Sequence, residues 1–135
     1  MNKNELKLGS HVLINIGRGS TRAQKQIKLV KLDDKTAFYK EKNVLKEIKY
    51  KNMMPIQLTT DWFANFGFKP RHGRANMLLS PTRAATQLRF STCNEKYLYT
   101  NISGKKTRYV HDLQMRWFVF ADEPLRKRKI EKANY

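Results

Sequence analysis

The chain has 135 residues and a mass of 16.0 kDa, enough for one domain or two small subdomains sharing a core without disulfides or metals. No run approaches the roughly 20 apolar residues of a membrane helix, and the N-terminus lacks the apolar core of a signal peptide, so a cytoplasmic protein with no membrane partner is expected. The 28 Lys and Arg against 11 Asp and Glu give a net +17, a self-repelling excess that a polyanionic partner would relieve.

In chain order, residues 11–16 (HVLINI) are β-branched and apolar and read as a strand. Gly17-Arg18-Gly19-Ser20 interrupts it. Residues 26–32 (QIKLVKL) alternate, with Ile27 and Leu29 on one face and Lys28 on the other, the period of a strand with one wet face. Asp33-Asp34-Lys35 reads as a turn and residues 36–39 as a short strand. Residues 44–48 read as another, although Leu45 and Ile48 also fit a helical turn. Short strands at this spacing predict a small SH3-like or OB-like β-barrel over residues 1–57.

Pro55 argues against a central strand. Thr59-Thr60-Asp61 supplies hydroxyl caps and an acid for the start of a short helix. Trp62, Phe63 and Phe66 would form its buried face, and Gly67 fits the stop just past its end. Residues 69–76 (KPRHGRAN) read as a basic loop, residues 77–79, 86–90 and 97–100 as strands, and residues 101–104 as a turn. Thr107 is placed to cap a second helix over 108–121, with Val110, Leu113 and Trp117 on one face, and Pro124 ends it. The expected fold class is α+β: an N-terminal barrel subdomain (1–57), then a short helix, an antiparallel sheet and a C-terminal helix packed with it (58–124), and a basic tail (125–135).

Pro55-Ile56-Gln57-Leu58-Thr59 with Trp62 and Phe66-Gly67-Phe68, followed by Tyr109-Val110-His111-Asp112-Leu113-Gln114 and Trp117-Phe118, resembles a family of small proteins encoded by phages and mobile elements of the Bacteroidota. Their recurrent pattern is P-I-P-L-T, a short helix ending F-G-F, and a late Y-V-H-x-L-Q-x-x-Y-F. Leu8-Gly9-Ser10-His11-Val12 is similar to the family's opening strand, so the resemblance spans residues 6–124. It implies a phage or mobile-element accessory protein acting in the host cytoplasm, and it supplies no chemistry. Gln57 stands where the family has a second proline, and the chain is more basic than the family pattern, as a nucleic-acid-facing member would be.

Candidate chemistry is sparse. Gly17-Arg18-Gly19-Ser20-Thr21-Arg22 could offer backbone N–H groups to a phosphate, but reads first as a flexible hairpin turn. Ser103-Gly104-Lys105-Lys106-Thr107 lacks the earlier glycine of a nucleotide-binding loop and has Lys106 where Ser or Thr is needed, so no ATP site is expected. His11, His72 and His111 are far apart, Cys93 is the lone cysteine, and no metal-ligand spacing occurs. His111 and Asp112 are neighbours whose side chains should diverge on a helix. Tyr97 and Tyr99, with Arg89 on a neighbouring strand, could stack unpaired bases or pack against the second helix. No enzyme, cofactor or small-molecule substrate is expected.

The charge is spread along the chain. Two windows hold no acid: residues 12–32, with Arg18, Arg22, Lys25, Lys28 and Lys31, and residues 62–94, with Lys69, Arg71, Arg74, Arg83 and Arg89. Lys105, Lys106 and the run Arg126-Lys127-Arg128-Lys129 complete the candidate contacts, with Arg18, Arg22 and Lys28 forming one patch. The expected partner is nucleic acid, RNA ahead of DNA, or a nucleic-acid-guided nuclease complex. The specific expectation is a phage inhibitor of a host defence nuclease, of anti-CRISPR type, acting on the effector or its guide RNA. The alternative is a stand-alone DNA- or RNA-binding or virion-associated phage protein.

Overall fold

Alternating apolar and polar residues fold the first part of the chain into strands. The computed structural model describes residues 1–16, 23–71, 74–79, 87–92, 98–102, 105–122 and 124–127, with the backbone alone at 69–71, 74–79, 87–92 and 121. The chain divides into two units, Met1–Ile56 with Tyr109–Met115, and Gln57–Arg108 with Arg116–Tyr135.

In the first unit, β1 (His11–Ile16), β2 (Ala23–Leu32), β3 (Thr36–Glu41) and β4 (Val44–Lys49) are followed by a 3₁₀ turn (Tyr50–Asn52) and β5 (Met53–Met54). They form one antiparallel sheet in the order β4-β3-β2-β1-β5. Register puts apolar residues opposite one another: Val12 faces Ile27, Leu29 faces Tyr39 and Ala37 faces Ile48. These residues, with Leu6, Ile14, Tyr50 and Met53, make the core. Among the described residues no ladder joins β4 to β5, so the expected closed barrel is replaced by an open five-stranded sheet. Lys42 (φ 49°) and Asn43 (φ 66°) link β3 to β4 as the two-residue turn whose positive φ values match strand twist.

The entry to β1 explains several residues of the pattern quoted above. Gly9 takes φ +89°, donates its N–H to the Leu29 carbonyl at 2.8 Å, and so docks the chain on β2. The buried Gln114 amide spans the next step, accepting from His11 N–H at 2.9 Å and donating to the Gly9 carbonyl at 2.8 Å. Val110 N–H donates to the Ile56 carbonyl at 2.8 Å. These pairings satisfy backbone groups that burial would otherwise strand.

In the second unit, α1 (Thr60–Asn65) carries the expected signals. The Thr59 hydroxyl accepts from Trp62 N–H at 3.4 Å, and Gly67 takes φ +90° just past the end. Gly67 N–H donates to the Ala64 carbonyl (2.9 Å) and Phe68 N–H to the Phe63 carbonyl (3.0 Å), a Schellman stop. The Phe63 and Phe68 rings meet edge-on at 5.6 Å, the apolar contact that accompanies this stop.

The rest of this unit is a second antiparallel sheet of β6 (Lys69–Arg71), β7 (Arg74–Leu79), β8 (Gln87–Thr92), β9 (Leu98–Ile102) and β10 (Lys105–Thr107), in the order β10-β9-β8-β7-β6. Residues 69–71 and 74–76, expected as loop, are strand, and Asn101 and Ile102, expected as turn, lie in β9. Thr107 caps no helix: it closes β10, buried, accepting from the Arg116 guanidinium at 3.1 Å. The last helix, α2 (Val110–Ala121), gives its first residues to the first unit and its remainder to the second. Val110, Leu113 and Trp117 are fully buried, as their spacing predicts, and Trp117 meets Phe68 edge-on at 5.2 Å.

Candidate nucleic-acid interface

Strand parity sorts the cations of β2. Lys25 shares the face of Ile27 and Leu29, whereas Lys28 points the other way, outward. Lys31 should by parity join Leu29 on the inner face. A bulge prevents this: between Leu29 opposite Tyr39 and Lys31 opposite Phe38, β2 advances two residues for one on β3. The extra residue switches Lys31 to the outer face. Its ammonium then lies 5.1 Å from the centre of the half-buried Phe38 ring and 3.9 Å from the Asp33 carboxylate.

The same register, carried one residue back from Leu29 and Tyr39, sets Lys28 beside Lys40. Lys49 lies opposite Thr36 on the same outer face, and Glu47 opposite Phe38 is the acid there. Lys28, Lys40 and Lys49 are exposed, and among the described residues no acid pairs with any of them. Sequence reasoning missed Lys40 and Lys49. Their shared signal was an even spacing from Phe38 (Lys40) and a pairing across the β3–β4 turn (Lys49), which becomes visible only once that turn fixes register.

Lys25 belongs elsewhere. Its ammonium bonds the Glu41 carboxylate at 3.1 Å, and Lys46 holds the other oxygen at 3.1 Å. The two ammonium groups hold the Glu41 carboxyl below the usual carboxylate range. Lys25 and Lys28 therefore do not converge, and Arg18 and Arg22, expected to join Lys28, lie outside the described residues.

In the second unit, Lys105 and Lys106 are exposed on β10, with Lys106 4.1 Å from the centre of the half-buried Tyr99 ring. Arg71 and Arg74 are opposed across the β6–β7 pair, and Arg89 lies opposite Met77, two residues from Ser91, which pairs with Tyr99. Tyr97, Arg83, Arg128 and Lys129 fall outside the described residues. Arg126 is exposed. The tail begins docked: Leu125 is buried, and Lys127 stands 4.6 Å over the Trp62 ring.

Other candidates resolve into packing. His111 is buried, and burial holds its pKa below the usual histidine value. Its Nε2 lies 3.5 Å from the Asp112 carboxylate, so these neighbours do meet, contrary to the helical expectation. Among the described residues its Nδ1 finds no hydrogen-bond partner, and Tyr109 stacks near-parallel to its ring at 6.1 Å. Among the described residues no three of His, Cys, Asp and Glu gather as metal ligands, and no helix is long and apolar enough to cross a membrane. No protein-family model, curated protein or solved structure matches the chain.

Proposed function

We propose that this is a non-catalytic basic protein that holds nucleic acid or a ribonucleoprotein through phosphates. The observation that carries the reading is the outer face of β2–β4, where Lys28, Lys40 and Lys49 stand without an acid partner among the described residues. Lys28 precedes Leu29 and Lys40 follows Tyr39, and Leu29 and Tyr39 are opposed, so these like charges share one face at neighbouring positions, a repulsion that an anion lying across them would relieve. The net charge of +17 extends the same attraction over the whole chain.

A second form of the reading adds a protein partner: an inhibitor seated on a host defence nuclease and its guide RNA. It is favoured by the exposed apolar side chains near the end of α2, Val119 at 78% with Phe118 at 40% and Phe120 at 52%, the residue types protein contacts use. Both forms place the protein in the cytoplasm of a phage-infected cell. The test is recovery of tagged protein from host lysate, with and without nuclease treatment. The reading expects co-purifying nucleic acid that nuclease removes. The inhibitor form also expects a nuclease effector that stays bound. Recovery of protein free of nucleic acid would contradict both.

A further inference from the structure

Phe38 sits on the lysine-bearing outer face, away from the core cluster. Core packing is carried by the opposite face, through Ala37 and Tyr39 on either side of it. Phe38 is half-buried, and the Lys31 ammonium lies 5.1 Å from the centre of its ring. Lys28 and Lys40 lie to one side, and exposed Gln24 and Gln26 continue the β2 face beyond them. Glu47 stands opposite Phe38 on β4 and Lys31 is shared with Asp33, so among the described residues the unpaired cations beside the ring are Lys28 and Lys40. A ring with such cations on one side can stack an unpaired base while the ammonium groups follow the backbone.

We propose that the outer face of β2 and β3 is a binding site for single-stranded nucleic acid, with Phe38 as the stacking platform. The proposal rests on the polyanion reading above and narrows it to one face and one strandedness. A base displaces the Lys31 ammonium from the Phe38 ring, and that ammonium moves to a neighbouring phosphate. Lys28 and Lys40 contact phosphates on the other side of the ring. A duplex keeps its bases stacked inside, so it reaches the lysines and not the ring.

The experiment titrates the full chain and its variants with a fluorescent ~12-nucleotide single-stranded RNA and a duplex DNA of similar length, within the range of single-strand site sizes. Phe38→Leu keeps an apolar side chain and removes the π face, and Phe38→Trp keeps the π face. The expected result is about tenfold weaker single-strand binding for Phe38→Leu, within the range for loss of one stack, with duplex binding changed less than about twofold. Phe38→Trp binds the single strand at least as well as the parent. Lys28→Glu with Lys40→Glu weakens both probes. Equal single-strand affinity for the parent and Phe38→Leu, both folded by circular dichroism, overturns this proposal and leaves the polyanion reading standing. Failure of the parent to bind either probe overturns both.

Discussion

At the residue scale, the buried side chains of α2 make two separable statements. His111 is held neutral by burial, opposed by the carboxylates of Asp112 and Glu5 and assisted by the N-terminal ammonium. Its folded pKa lies below its unfolded value, so the unfolded chain takes up the proton first. The stability is complete above the ordinary histidine value of about 6.5 and is lost as pH falls through it. The melting temperature should therefore drop between about pH 7.5 and pH 5.5, and the slope should flatten in His111→Gln. A parent protein with a flat profile in that window would contradict the burial. Trp117 is different: it is fully buried and its indole N–H has no partner among the described residues. Trp117→Ala should cost about 3–5 kcal/mol, whereas Trp117→Phe should cost far less, because it removes an unsatisfied donor along with part of the ring. Denaturant unfolding of both variants checks the order. Equal losses would mean the N–H is satisfied in solution.

At the element scale, what was legible was local. The start and stop of α1 are written in Thr59 and Gly67 within one short segment, and both act as their residue types predict. Thr59→Ala should cost about 1 kcal/mol, and Gly67→Ala a similar amount because φ +90° strains any Cβ. Thermal melts measure both, and an unchanged Gly67→Ala would argue against the left-handed stop. What was not legible was non-local. Lys69-Pro70-Arg71 and Arg74 have no alternation to mark them as strand, and their pairing partners lie across a hairpin. Pro70 is tolerated because β6 is an edge strand. Thr107 resembled a cap because the residues after it are helical, yet the chain spends Arg108 and Tyr109 on reaching α2. The bulge after Leu29 left no trace in the period-two pattern, and it alone decides which face Lys31 joins.

At the scale of the whole molecule, composition raised a polyanion partner as an expectation and could not say which cations would meet it. Of the cations of the first acid-free window, Lys28 and Lys31 share the outer face and Lys25 is tied to Glu41. The two lysines that complete the face, Lys40 and Lys49, come from β3 and β4, outside that window. A partner held by such a face is held by charge, so its affinity must follow counterion release. The most direct measurement is the affinity for single-stranded RNA and for duplex DNA between 50 and 200 mM salt. If about six phosphates are neutralised, the log–log slope should be about −5 for the duplex and shallower for the single strand. Lys28→Glu with Lys40→Glu should flatten it by about two, with the melting temperature nearly unchanged because exposed charges contribute little to stability. A slope near zero, or no binding at 50 mM salt by folded protein, would contradict phosphate binding and assign the charge to an acidic protein surface.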